Sequence, residues 1–284
     1  MAGPLSGIRI IEFAGLGPGP FACMMLADHG AEVIRIDRPG GTRGGPESDP
    51  KTDILLRSRR TIEVDLKSAT GQAVLRDLVA SADGLVEGFR PGVMERLGLG
   101  PEDMLTLNPK LVYGRMTGWG QTGPYAQMAG HDINYIALSG ALHAFGRKGD
   151  KPTPPANMVG DFGGGAMMLA FGMVSALLDV QRGGKGTVID AAMTDGSALL
   201  MSMIYAFHGQ GWWQDDRGVN MLDTGAHFYD VYKTADEKFV SIGAIEPQFY
   251  VQLLHLCGLS DEPEMQIQND QRQWDAMRDM LARL

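Results

Sequence analysis

Short apolar runs of β character alternate with stretches of helical periodicity through the first two hundred residues, and that alternation constrains the fold most. Ile8–Phe13, Val33–Ile36, Thr61–Val64, Leu85–Val86, Leu111–Met116 and Thr187–Asp190 read as strands. Phe21–Asp28, Gly71–Ala80, Tyr135–Leu142 and Met193–Phe207 read as helices, with Ser68 as the N-cap of the second. Such a chain is expected to be α/β, with a doubly wound, mostly parallel, Rossmann-like sheet covered by helices on both faces. The pattern changes after about Gly225. His227–Thr234 and Phe239–Ile245 alternate as hairpin strands around the turn 235–238, and a helix follows over Pro247–Cys257 with proline in its first turn. A boundary is therefore placed near 222–226. Residues 1–224 form a large α/β domain, and 225–284 a smaller α+β domain.

Composition narrows the function. The 284 residues include 39 glycines, yet 44% are hydrophobic, so the glycines mark tight turns and close backbone approaches rather than disorder. A net charge of −9 opposes non-specific nucleic-acid binding, which needs a basic surface. Cys23 and Cys257 stand far apart and imply no disulfide framework, which points to a reducing, cytoplasmic compartment. The histidines at 29, 131, 143, 208, 227 and 255 show no zinc-type spacing, so no metal is expected. The N-terminus lacks the pattern of a secretory signal. The longest uncharged run, Phe162–Leu178, is short for a membrane span and opens near three glycines, so it reads as a core helix. The ending Ala282, Arg283, Leu284 loosely matches a peroxisomal signal, and chance explains it more simply.

Several residues carry chemistry. Gly15, Gly17 and Gly19 follow the first strand, and Asp37 ends the second, as in a dinucleotide-binding fold. Pro18 and Pro20 depart from that pattern and weaken an NAD(P) reading. Thirty residues separate His131 from Asp161, and each lies among small and apolar neighbours. Two proton-transfer groups on opposite faces of one carbon are what inversion of a weakly acidic centre requires. A lone histidine is more often structural, and an aspartate before an apolar helix is often an N-cap. Against that, His131 is flanked by Gly130, Asp132 and Asn134, and Asp161 by Asn157 and glycines 163–165, which would let a ligand approach the backbone. Arg57, Arg59 and Arg60 add a positive field or form a solvated loop. Methionines 167, 168, 173, 193, 201, 203 and 221 read mainly as core, with one or two along an acyl path.

These two strings, with Ile8–Glu12 and Gly243–Tyr250, resemble the α-methylacyl-CoA racemases of the family III CoA-transferase superfamily, and the resemblance runs to the last residue. It implies an isomerase of fatty-acid and lipid metabolism that inverts the 2-methyl centre of branched 2-methylacyl-CoA thioesters through an enolate. His131 and Asp161 would be the two bases, Asn157 would hold Asp161, and the Asp132 backbone N–H would meet the enolate oxygen. Glu246 would orient His131 from across a homodimer interface. Arg38, Val64, Asp65, Leu66, Lys67, Arg90, Gly130, Ile133, Asn134 and Tyr135 would contact CoA, which is part of the substrate, so no separate cofactor is implied. In a eukaryote the resemblance would also allow a peroxisome or mitochondrion.

Racemases of this type continue past the point matching Leu284 and return to the large domain, so that two subunits interlock. With the small domain incomplete, that interlocking is not expected to close, and the apolar face of Trp274, Met277 and Leu281 is expected to lack its partner helices. Two rivals stand beside the racemase. One is a CoA-transferase using Asp161 as a nucleophile, against which His131 argues because that route needs no second base. The other is a non-catalytic CoA-binding homologue.

Overall fold

The computed structural model describes residues 3–41 and 52–284. Its contacts divide the chain into one unit of residues 1–139 and 156–200 and another of 140–155 and 201–284. The boundary expected near 222–226 thus falls inside the second unit, which also takes in an excursion of the chain after residue 139.

In the first unit, the strands β1 (Arg9–Phe13), β2 (Glu32–Asp37), β3 (Arg59–Glu63), β4 (Gly84–Glu87), β5 (Val112–Thr117) and β6 (Thr187–Ala192) form one sheet. Their order is β3-β2-β1-β4-β5-β6, and every pairing is parallel, with Ile11 opposite Ile34 and Leu85. The strand order reverses between β1 and β4. In such sheets a crevice opens there, outside the carboxyl ends of the strands.

Helices α1 (Pro18–Asp28), α2 (Ala69–Ala80), α3 (Val93–Arg96) and α4 (Pro101–Leu107) alternate with these strands. Ser68 caps α2 as expected, its hydroxyl accepting the Gly71 N–H at 3.0 Å. α5 (Asp132–Leu138) starts earlier than its periodicity suggests, and Gly140, at φ 79°, separates it from α6 (Ala141–Ala144). Met158–Met167 is wound as a π-helix and runs directly into α7 (Met168–Gln181). The helix expected over Met193–Phe207 is two: α8 (Met193–Leu200) and α9 (Ser202–Gly209). The break at Met201 lies where the chain passes from the first unit to the second.

The combined helix Met158–Gln181 is long and apolar enough to cross a membrane by length and composition alone. It packs Leu169, Ala170, Met173 and Leu177 into the core with Ile10, Val33 and Val112, while Phe171 is exposed. Strand glycines permit that approach. A Cβ on Gly114 would meet Met173 Sδ at 2.8 Å and Leu169 Cδ1 at 2.9 Å, and one on Gly84 would meet Met173 Cε at 2.9 Å. The other sheet face buries Ile11, Phe13, Ile36, Leu75, Val79 and Tyr113.

Charge is buried under the sheet's carboxyl edge. Glu12, fully buried, accepts from Arg35 at 3.0 Å and from Arg59, and Arg35 Nε donates to Asp37 Oδ1 at 3.0 Å. Burial raises the Glu12 pKa, with both guanidiniums acting the other way. Cys23, also buried, is pushed up by burial and then by Glu12. Removing one partner from such a pair typically costs about 3–5 kcal/mol.

In the second unit, β7 (Tyr229–Lys233) and β8 (Phe239–Gly243) form the expected antiparallel hairpin, followed by α10 (Pro247–Leu256) and α11 (Trp274–Ala282). Trp274, Met277 and Leu281 are buried with Phe228, Tyr250 and Leu254, so the apolar face expected to be bare is covered within this unit. Asp230 binds Arg147 and Arg278, and Lys148 reaches Asp275 at 2.7 Å. Those pairs fasten the excursion 140–155 to the hairpin and α11.

His227 is fully buried, and its Nε2–H donates to the Tyr250 hydroxyl, which donates to the Met265 carbonyl, both at 2.8 Å. Burial, then the Arg278 charge, pushes its pKa down to about 4. Unfolding releases the ring to titrate near 6.5, so its contribution is complete above that pH and is lost as pH falls toward 4. The loss is expected to reach at most about 3 kcal/mol. Urea unfolding of the second unit should therefore weaken more steeply between these values in the wild type than in His227→Phe; parallel profiles would contradict this.

Candidate active site

The loops after β1, β2 and β4 open at the switch point into a cleft of the first unit. One lobe of about 640 Å³ is lined by Leu16, Arg38, Asp65, Leu66, Lys67 and Phe89, among others. A second lobe of about 370 Å³ is lined by Pro18, Arg90, Trp119, Met128, Gly130, His131, Tyr135 and Met193, among others. Phe13, Gly15, Leu16 and Phe89 belong to both, so the lobes form one groove from Arg38 to His131.

The residues expected to hold CoA fall mostly along this groove. Arg38 is exposed just beyond the end of β2, across from Asp65, Leu66 and Lys67. Val64 departs from them: its side chain is buried in the core, and its N–H donates to the Asp37 carbonyl at 2.9 Å. Arg90 lines the inner lobe on a loop held from below by Glu87. One Glu87 oxygen accepts the Phe89 N–H at 2.7 Å, and the other accepts Arg115 Nε at 2.9 Å. Burial raises the Glu87 pKa against these hydrogen bonds.

Two expectations change. Arg57, Arg59 and Arg60 pair with Asp28, Glu12 and Glu32, so their charges are neutralised locally instead of acting as a cluster. Asp37 lines the groove but its carboxylate is held by Arg35, which leaves it poorly placed to serve a ribose. Gly17, at φ 64°, turns the chain into α1, where Pro18 supplies the first helical residue.

His131 immediately precedes α5 and is exposed at the inner lobe. Its N–H donates to Asn134 Oδ1 at 3.0 Å, which fixes the entry to the helix. Gly130 is required by packing, since a Cβ there would meet Tyr135 at 2.7 Å and Trp119 at 2.9 Å. The Tyr135 ring packs edge-on against Trp119, and its hydroxyl donates to the Gly130 carbonyl at 2.6 Å. Burial, then the charges of Asp161 and Asp132, raises the Tyr135 pKa. Ile133 and Asn134 are exposed on α5 and are not among the groove-lining residues.

Asp161 sits in the first turn of the π-helix. Its N–H donates to Asp132 Oδ2 at 2.7 Å, and its own Oδ2 accepts from Asn157 Nδ2 at 3.2 Å. That oxygen would lie 3.3 Å from a Cβ on Gly17, so the carboxylate reaches the loop whose residues Leu16 and Pro18 line the groove. Burial raises the Asp161 pKa, Asp132 adds to the rise, and Asn157 and the charge of His131 oppose it. π-Turns recur at functional sites.

Glycines 163–165 have a different use from the one expected. A Cβ on Gly164 would meet Ser197 N at 2.5 Å, and one on Gly165 would meet Met193 Cγ at 2.8 Å. They bring the π-helix against α8, so the close neighbour is protein rather than a ligand. Glu246 stands just before α10 in the second unit and is exposed. The Asp132 side chain, Glu87 and Trp119 carry site geometry that sequence reasoning missed. Of these, only the alternation of β4, which points Glu87 inward with Leu85, could have marked one in advance.

Comparison with known proteins fits this geometry. Residues 5–284 match CoA-transferase family III. The chain is 49% identical to mouse α-methylacyl-CoA racemase over 278 residues, covering 98% of this chain and 71% of the relative. It is 48% identical to the human racemase over 279 residues, with the same coverage. Among solved structures, a CaiB/BaiF family protein from Brucella suis superimposes with a TM-score of 0.81 at 26% identity, covering 100% of this chain and 77% of that one. The chain belongs to CoA-transferase family III.

Proposed function

We propose that this chain is an isomerase that inverts the 2-methyl centre of 2-methylacyl-CoA thioesters. The observation that carries the reading is a groove that starts at Arg38 and Lys67 and ends at His131, where the Asp161 carboxylate is held beside its wall. The likeness to two racemases over nearly the whole chain supports it.

Arg38 would stack on the adenine or hold phosphate oxygens, with Lys67 and Arg90 adding charge. The thioester carbonyl acidifies the α-hydrogen. One of His131 and Asp161 removes it, the other returns a proton from the far side, and the Asp132 N–H stabilises the enolate oxygen. CoA enters as part of the substrate. A raised Asp161 pKa makes its carboxylate a stronger base, which suits removal of a weakly acidic α-hydrogen. One member of the pair carries the mobile proton at a time. A homodimer in which the partner subunit's Glu246 orients His131 completes the proposal.

Two tests follow. Arg38→Ala should weaken binding of CoA thioesters by about 1.5–3 kcal/mol while leaving acyl-pantetheine analogues nearly unaffected. Equal losses would place Arg38 outside the nucleotide site. His131→Gln and Asp161→Asn should each abolish inversion, with losses on the order of 10²–10⁴. Each variant should still exchange deuterium into one enantiomer, His131 serving the S form and Asp161 the R form. A variant that racemised normally, or the loss of the same enantiomer in both, would contradict the two-base assignment. Capture of a thioester-derived acyl group on Asp161 would favour a transferase.

A further inference from the structure

We infer that the side chain of Asp132 is a positioning residue for Asp161, clamping the turn that carries Asp161 to the helix start that carries His131. The inference rests on the racemase reading and adds the part that holds its two proton-transfer groups together.

The first-turn N–H groups of any helix lack an intrahelical acceptor and need one from outside. The residue in the usual capping position before Met158, Asn157, makes no such bond; its side-chain Nδ2 donates to the Asp161 carboxylate instead. The acceptor comes instead from Asp132, 29 residues away in sequence, at 2.7 Å. Asp161 is thereby gripped twice, by Asn157 at its side chain and by Asp132 at its backbone. Asp132 is only 6% exposed, and Gly160 makes room for it: a Cβ there would stand 2.7 Å from Asp132 Oδ2 and 2.9 Å from its Cγ.

A cap needs an acceptor oxygen and no charge. An asparagine would satisfy the same N–H at a smaller desolvation cost. Yet the carboxylate is present, and its second oxygen, Oδ1, is buried without a hydrogen-bond partner among the described residues. The charge has a use beyond capping, because Asp132 opposes ionisation of Asp161 from beside it. The groups that act on the Asp161 titration are Asp132, His131 and Asn157, and Tyr135 answers to both aspartates. Of these, Asp132 alone adds a second negative charge next to Asp161.

Replacing Asp132 in the full chain separates capping from charge. With aspartate carboxyls labelled with ¹³C, and the Asp161 signal assigned by its loss in Asp161→Asn, Asp132→Asn should move the Asp161 titration down toward the ordinary carboxylate range. The acid limb of α-proton exchange should move with it, and the melting temperature should hold or rise. Asp132→Ala should slow exchange on the order of 10²-fold. An Asp161 titration that stays in place in Asp132→Asn would overturn the inference, as would undiminished exchange in Asp132→Ala. If Asp132→Asn fails to fold, Gly160→Ala pushes the intact carboxylate off the N–H and should lower the same titration; an unchanged titration there would also overturn it. Absence of exchange in the wild type would count against the racemase reading alone, since the titration is read without turnover.

Discussion

The helix that begins at Met158 lies against its neighbours at a separation that glycine permits, and the site depends on that contact. Gly84 and Gly114 let Met173 and Leu169 settle onto the sheet, while a Cβ on Gly196 would stand 1.8 Å from the Gly164 carbonyl oxygen. Side chains at these positions would push the helix outward and carry Asp161 away from the loop at Gly17. The apolar packing that stabilises the first unit therefore also sets where its proposed base stands. The π-winding over Met158–Met167 widens the turn at the same place.

Buried charge complements that packing. Glu12 and Glu87 lie beneath the carboxyl ends of β1 and β4, the two strands that flank the switch point. Glu12 ties β1 to Arg35 of β2 and Arg59 of β3, and Glu87 ties the Phe89 turn to Arg115 of β5. Hydrophobic residues in their place could stabilise the sheet as well or better. They would not hold a backbone N–H in the loop before Arg90, which is a reason for charge to persist under a groove that must keep its shape.

Reading the chain by periodicity located the six strands of the sheet; the central ones, buried on both faces, leave continuous apolar runs such as Ile10 and Ile11 or Leu111 and Val112, while the edge strands β3 and β6 are partly exposed. It joined helices that the structure breaks, since neither Gly140 nor Met201 interrupts a periodic pattern strongly. It also treated 140–155 as part of the large domain, because no local signal announces that Arg147 and Lys148 pair with Asp230 and Asp275 about a hundred residues on. At the site, His131, Asp161, Arg38 and Lys67 stand out by residue type and neighbourhood. The Asp132 carboxylate did not, because its partner is a backbone N–H that sequence cannot single out. Glycines 163–165 invited a ligand-based explanation, whereas their neighbours are Ser197 and Met193. A small residue reports that something comes close, without saying what.

The central claim, that this groove inverts a carbon by exchanging its proton, is tested most directly with one enantiomer of a 2-methylacyl-CoA in heavy water. The account predicts that the inverted product accumulates with deuterium at C2, in step with the loss of optical purity. Recovery of the starting enantiomer without deuterium, together with transfer of its CoA to an added carboxylic acid, would contradict it.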